Sequence, residues 1–285
     1  MRTSTVPGAD GLDLVIDERG DLDAHPVLLL HGGGQTRHAW AGTADALAGA
    51  GWLAVTADMR GHGESSWSPD GDYRLVCFAA DAHALVARHD RPPFLIGASL
   101  GGFTAMLLAG EVEPGCLAGV VLVDIIPEME SAGSMRVAEF MQSRAVEGFA
   151  SLDEVADAIA AYNPHRPRPS DLSGLRKNLR ERDGRWYWHW DPRFGGGGGA
   201  SPSEVQETDR LHRAVQVIVD AGVPVMLVRG RVSDLVSAEG AARFCARFPM
   251  VEFVDVSGAG HMVAGDRNDA FTGAVLDFLG RHRPA

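Results

Sequence analysis

Short apolar runs recur along the chain, and most are followed by a longer stretch in which apolar side chains return every three or four positions. The runs Val27–Leu30, Trp52–Thr56, Phe94–Ile96, Gly119–Val123, Val225–Val228 and Val251–Val256 are too short for core helices, and several are bounded by Gly or Pro. They predict buried strands. The intervening amphipathic stretches, near Thr43–Ala50, Val76–His89, Leu100–Ala109, Ala238–Phe248 and Asp269–Leu279, predict helices. Upstream, Thr3–Val6 and Leu12–Asp17 flank Pro7-Gly8-Ala9-Asp10-Gly11 and read as an antiparallel pair. Strands alternating with helices predict an α/β fold, a mostly parallel sheet with helices on both faces.

One region breaks this rhythm. From about Glu128 to Ala214 no strand pattern is evident. Helical stretches at Arg136–Gly148, Leu152–Tyr162 and Asp171–Arg182 are joined through the proline-rich segment Pro164–Pro169, then followed by Trp186-Tyr187-Trp188-His189-Trp190 and the glycine run Gly195–Gly199. Such an insertion predicts a helical cap, residues 128–214, over a core formed by residues 1–127 and 215–285. The glycine run reads as a surface loop, with a hinge role left open.

Composition narrows the function. The 285 residues are 45% hydrophobic and 22% charged, enough to bury a large core, and carry a formal net charge of −12. No dense cluster of basic residues is present, which argues against nucleic acid as a partner because phosphate binding needs concentrated positive charge. Lys177 is the sole lysine, so Schiff-base chemistry has little to work with. The cysteines Cys77, Cys116 and Cys245 are sparse and widely spaced, offering neither a disulfide framework nor a zinc-site spacing. With no signal-like N-terminus and no apolar run near the length of a membrane span, a soluble, cytoplasmic protein acting on a small molecule, without metal or organic cofactor, is the expectation.

The chemistry concentrates at strand ends. In Phe94-Leu95-Ile96-Gly97-Ala98-Ser99-Leu100-Gly101-Gly102 a strand runs into G-x-S-x-G and a helix begins directly after the serine. This context turns a common five-residue pattern into a nucleophile elbow, in which a sharp turn lifts Ser99 clear of the sheet and the glycines leave room for it. The helix start supplies N–H groups and a dipole favourable to negative charge. A second glycine-rich loop, His31-Gly32-Gly33-Gly34, follows the strand Val27–Leu30. Its N–H groups, Gly33 by choice and Gly34 as the alternative, would form an oxyanion hole with the amide of Leu100. Neither glycine cluster reads G-x-G-x-x-G, which removes a dinucleotide site. His31 and His38 read as structural.

A serine hydroxyl needs a base. His261, in Ser257-Gly258-Ala259-Gly260-His261-Met262, lies just past the last strand, and the glycines before it let its loop reach the sheet edge. The base in turn needs a carboxylate. Asp234, in the loop after Val225–Val228, completes the chain order Ser99, Asp234, His261; Asp124, ending Gly119–Val123, is the rival. Asp58, in Asp58-Met59-Arg60-Gly61-His62-Gly63-Glu64-Ser65, reads as scaffolding with Arg60.

With His31–Gly34, the Asp58–Ser65 loop, the Gly97–Gly101 elbow, the Asp234 loop and Gly260-His261, the chain resembles the α/β-hydrolase family over nearly its whole length. The resemblance implies an eight-stranded, mostly parallel sheet with a cap inserted after the sixth strand. It also implies Ser99 as nucleophile, His261 as base, Asp234 as acid and Gly33 and Leu100 as backbone donors. Within the family the chain looks most like capped esterases, metal-free haloperoxidases and carbon–carbon bond hydrolases, and unlike members with an aspartate nucleophile. Three functions compete: hydrolysis of a carboxylic ester through an acyl-enzyme, carbon–carbon hydrolysis or perhydrolysis at the same site, and a receptor with little turnover. Gly34, Met262 and the alternating Trp186, Trp188 and Trp190 are candidates to contact substrate; the tryptophans could equally fasten the cap to the core. If one of them lines the pocket, the substrate has an apolar or aromatic part.

Overall fold

In the computed structural model, the described residues are 1–163, 168, 170–194, 204–261, 263 and 268–284. Met262, the glycine run and most of the Pro164–Pro169 join lie outside them. An eight-stranded sheet is built from β1 (Arg2–Pro7), β2 (Asp13–Arg19), β3 (His25–Leu30), β4 (Trp52–Ala57), β5 (Phe94–Ala98), β6 (Gly119–Val123), β9 (Val225–Gly230) and β10 (Glu252–Val256). Its order is β1-β2-β4-β3-β5-β6-β9-β10. β1 pairs antiparallel with β2, and β2 antiparallel with β4; the remaining pairs are parallel.

Every residue of β3, β4, β6 and β9 is buried, which explains their near-continuous apolar sequences. Alternation still sorts the faces. Val27 and Leu29 join Trp40 and the helices α1 (Ala41–Gly49) and α8 (Asn268–Arg281), whereas Leu28 and Leu30 join α2 (Leu75–Val86), α3 (Leu100–Leu107), α6 (Glu204–Asp220) and α7 (Ala238–Arg247). From β3 the chain moves to β4 on one side, then returns to β5 on the other. In open α/β sheets, sites form at such a reversal, beyond the carboxyl ends of the strands.

The stretch after β6 holds α4 (Ser131–Gln142) and α5 (Leu152–Tyr162), but it is not wholly helical. Only Ser173–Asn178 of the expected helix over Asp171–Arg182 is helical, as a 3-10 turn. The chain then forms an antiparallel hairpin, β7 (Leu179–Arg182) and β8 (Arg185–Trp188), extended by bridging to Phe149. The turn at Asp183-Gly184 places both residues at positive φ, 51° and 72°, the geometry of a tight hairpin. α6 runs through position 214 without a break. Ala214 packs on the π-helical turn Leu108–Val112 at Gly110, where an added Cβ would come within 2.5 Å of Ala214. The helix therefore belongs in packing to the core face on both sides of that boundary.

Candidate active site

Ser99 stands where β5 meets α3, with φ 47° and ψ −110°, a strained conformation for a residue with a side chain. The surroundings enforce it. A Cβ on Gly97 would come within 2.3 Å of the Gly101 carbonyl oxygen, and one on Gly101 within 2.3 Å of that of Leu30, so strand and helix close this tightly only with glycine at both places. The Gly102 and Phe103 N–H groups donate to the Ser99 carbonyl, starting the helix. Ser99 itself is half-buried, at the carboxyl end of β5.

Asp124 lies one strand over. Ala98 pairs with Val123, so Ser99 and Asp124 follow paired residues on neighbouring strands, and the Ser99 N–H donates to the Val123 carbonyl at 3.3 Å. Asp124 is also at positive φ, 50°, and is fully buried. Its Oδ1 accepts from the Gly230 N–H at 2.9 Å; its Oδ2 accepts from Ser233 Oγ at 2.5 Å and from His261 Nδ1 at 2.8 Å. The loop bearing His261 is pressed onto the end of β9: Arg231 and Val232 donate to the carbonyls of Val256 and Ala259, and a Cβ on Gly230 would come within 2.1 Å of the Gly260 oxygen. Proton transfer suits this arrangement, because a carboxylate bound to Nδ1–H fixes the imidazole and leaves Nε2 as its proton acceptor.

The structure brings Asp124, not the expected Asp234, to His261. Asp234 does not meet His261; its carboxylate pairs with Arg136 of α4 and is 32% exposed. Its neighbour Ser233 turns inward instead, donating to Asp124 while accepting from the Leu235 and Val236 N–H groups. Asp58 and Arg60 both scaffold their loop, through separate partners. Asp58 binds Arg37, and Arg60 binds Asp81 and Asp10.

Three buried histidines brace the loop opposite Ser99. His31 Nδ1 donates to the Gly32 carbonyl and Nε2 accepts from the Met59 N–H. His62 Nδ1 donates to the Arg60 carbonyl and Nε2 accepts from the Gly34 N–H at 3.1 Å. His189, from the segment after β8, accepts at Nδ1 from the Gly63 N–H and donates through Nε2 to the Gly34 carbonyl. Each ring gives one hydrogen and receives another, so each is neutral. Burial pushes His31 down to about 4 and His62 to about 3, and holds His189 well below the usual histidine range. The Gly34 N–H is consequently spent inside the protein, and the Gly32 N–H is taken by Gln35 Oε1. Among the described residues the Gly33 and Leu100 N–H groups donate to no protein acceptor.

The tryptophans mainly hold the stretch after β6 together. Trp188 and Trp190, two apart on one face, stack with centroids 4.8 Å apart, and their Nε1–H groups donate to the Ser143 and Met141 carbonyls. Both are buried, while Trp186 lies under the Arg176 guanidinium. Trp190 does reach the glycine loop, 3.3 Å from where a Gly34 Cβ would stand.

The aromatic residue over the loop is Phe194, which sequence reasoning passed over. Its ring lies 3.4 Å from the position of a Gly33 Cβ and packs edge-to-face on His62. A latch fixes it there: Tyr73 Oη donates to Asp191 Oδ2 at 2.5 Å, Arg193 binds Asp191 and donates to the Ser68 and Pro69 carbonyls, and the Phe194 carbonyl accepts from Gln142 Nε2. The signal was the aromatic segment's last member, four residues beyond Trp190.

Among the described residues no group of three or more His, Cys, Asp or Glu side chains could hold a metal ion, and no helix is long and apolar enough to cross a membrane.

A mostly parallel sheet with a strained serine between strand and helix, and a histidine–carboxylate pair at the same edge, is the arrangement of a class of α/β proteins. The family model for the alpha/beta hydrolase fold matches residues 25–267, and the chain belongs to that family. It is 32% identical over 265 residues to the esterase Rv0045c of Mycobacterium tuberculosis, covering 89% of this chain and 82% of that protein. Its structure superposes on that esterase with a TM-score of 0.73, covering 98% of this chain and 91% of that one at 28% identity. It superposes on an alpha/beta hydrolase from Novosphingobium aromaticivorans with a TM-score of 0.80, covering 98% of each chain at 27% identity. The protein is a hydrolase with esterase-type relatives.

Proposed function

We propose that the protein hydrolyses a carboxylic ester of a small, partly apolar substrate through an acyl-enzyme formed on Ser99. The observation that carries this reading is the hydrogen bond from His261 Nδ1 to the buried carboxylate of Asp124, one strand from Ser99. In the proposed cycle His261 Nε2 takes the hydroxyl proton as Ser99 Oγ attacks the ester carbonyl. Asp124 holds the imidazole in the required tautomer and stabilises the imidazolium. The oxyanion rests on the N–H groups of Gly33 and Leu100, each such donor contributing about 3 kcal/mol to the transition state. The imidazolium returns its proton to the leaving alcohol. Water then attacks the acyl-enzyme with His261 again as base, and Ser99 is released.

Support for this choice of donors comes from the spent N–H groups of Gly32 and Gly34, and the aromatic wall at Phe194 supports an apolar acyl group. The relative named esterase gives the bond type its weight. The test is turnover of p-nitrophenyl esters together with labelling by a fluorophosphonate probe. Ser99→Ala should lose both while its melting temperature holds; retained turnover would refute the assignment. Carbon–carbon hydrolysis and perhydrolysis would use the same groups, and a panel adding a β-diketone and peroxide with acetate separates them from ester cleavage.

A further inference from the structure

His189 is buried in the aromatic segment after β8, between Trp188 and Trp190, and reaches a loop 155 positions earlier in the chain. A buried imidazole costs free energy unless its nitrogens are paired, and both of these are. The Gly63 N–H is a main-chain donor and points at Nδ1, 2.7 Å away. Nδ1 therefore carries no hydrogen, and the hydrogen on Nε2 goes to the Gly34 carbonyl at 3.2 Å. That carbonyl shares its peptide plane with the Gln35 N–H, which donates to the Gly32 carbonyl at 3.1 Å. The Gly32 carbonyl in turn shares its plane with the Gly33 N–H. Gly34, at φ 74°, allows the tight turn that closes this step.

The bonds form a one-way chain, from Gly63 to His189, to the peptide of Gly34 and Gln35, to the peptide of Gly32 and Gly33. A peptide that accepts at its carbonyl becomes a better donor at its N–H, so the chain strengthens toward its end. Its last donor is the Gly33 N–H. We propose that His189 is a positioning residue for the oxyanion: through two peptide planes it aims and polarises the Gly33 N–H, so that a side chain from the segment after β8 tunes the transition state at Ser99. This role rests on the proposed ester hydrolysis, in which Gly33 is a donor. Both ring nitrogens are spent inside the protein, so His189 acts through Gly33 and not on the substrate. The Gly32 carbonyl has a second donor, His31 Nδ1 at 2.8 Å, so losing the His189 bond weakens the chain without breaking it. Deleting an oxyanion donor outright lowers kcat by about 10^2- to 10^3-fold, and the loss here should be smaller, about tenfold.

Two variants of the full chain each keep one of the two bonds. In His189→Gln the amide nitrogen falls near the place of Nε2 and still donates to the Gly34 carbonyl. In His189→Asn the shorter amide places its oxygen near Nδ1, where it accepts from Gly63 but leaves the Gly34 carbonyl without its donor. Each loses one buried hydrogen bond, so thermal unfolding should show similar destabilisation. On a p-nitrophenyl ester, kcat per fluorophosphonate-titrated site should fall about tenfold in His189→Asn, with KM within about twofold, and stay within about threefold of the parent in His189→Gln. A trifluoromethyl ketone adds the serine to form an oxyanion, and its Ki for His189→Asn should rise in step with the fall in kcat/KM. Should both variants fail to fold, replacing the Gln35 amide with a backbone ester cuts the chain and changes no side chain; kcat should fall likewise. The role is overturned if both variants lose kcat equally, if neither does, if the ketone binds His189→Asn as tightly as the parent, or if the ester-bearing protein turns over as the parent does. Retained turnover in Ser99→Ala would sink the hydrolytic reading instead, whereas an inactive Ser99→Ala beside an unaffected His189→Asn sinks only the role of His189.

Discussion

Replacing Asp124 with Asn changes one atom in the proposed mechanism and separates two candidate acids. The Gly230 N–H is main-chain and cannot turn away, so the new amide must keep its oxygen there and present its NH2 where Oδ2 now accepts from Ser233 and His261. Ser233 Oγ already accepts from two N–H groups, so it has little capacity to receive the amide hydrogen. His261 can meet the NH2 only by offering Nδ1 as an acceptor, which moves its hydrogen to Nε2 and removes the base from Ser99. A tautomer locked the wrong way lowers kcat by about 10^3- to 10^4-fold, equivalent to roughly 4–5.5 kcal/mol of barrier. Crowding of donors at a fully buried site costs a further ~1–3 kcal/mol of stability. Asp234→Asn removes only a partly exposed pair with Arg136, so turnover should stay within about twofold and stability within ~1 kcal/mol. Steady-state kinetics on a p-nitrophenyl ester, with urea unfolding of each variant, reads both effects. Full activity in the folded Asp124→Asn protein, or collapse in Asp234→Asn, would refute the proposed pairing.

Acid should loosen the braced loop. His31 and His62 are lowered from 6.5 to about 4 and about 3, with His189 lowered as well, so at pH values below 6.5 the unfolded chain binds protons that the folded chain refuses. The stability these neutral rings contribute is present above pH 6.5 and is lost as pH falls from there toward their folded values; urea midpoints between pH 7.5 and 4.5 should decline, and a flat profile would contradict their assignment as neutral. Phe194→Ala should open the space over Gly33 and shift ester preference toward longer acyl chains, measured as kcat/KM across a chain-length series. Because Phe194 is half-buried, its stability loss should be smaller than the ~3–5 kcal/mol of a fully buried Phe→Ala change.

Local signals along the chain marked the core strands. The runs Val27–Leu30 and Gly119–Val123 are strands with nearly the expected bounds, and the parallel sheet follows from them. The β7–β8 hairpin was also locally written, in Asp183-Gly184 between Leu179–Arg182 and Arg185–Trp188, but its charged arginines resemble a solvated helix face. Its strands are stabilised by pairing with each other and by the bridge to Phe149, more than 30 residues earlier, which no window of local periodicity contains. Phe194 was hidden for a similar reason. Its position over Gly33 depends on Tyr73 reaching Asp191 across 118 positions of chain.

The carboxylate is the harder case, because Asp124 and Asp234 both end or follow strands that neighbour each other in the sheet. Chain order admits either one, since both stand between Ser99 and His261. Two local geometries separate them. At Asp124 the backbone turns to positive φ immediately after β6, which drops the side chain inward beneath the loop of His261. After β9 the chain runs three residues further before Asp234, and the N–H groups of Leu235 and Val236 fold back on Ser233, turning that hydroxyl inward and leaving the next side chain for Arg136 on α4. The same loop therefore supports the site through a serine hydroxyl rather than through the acid expected of it. A positive φ at a non-glycine residue cannot be read from composition or spacing. Yet here it follows from the fold, since the Asp124 N–H is held by the Val228 carbonyl at 2.7 Å while its side chain satisfies Gly230, two residues beyond on the same neighbouring strand.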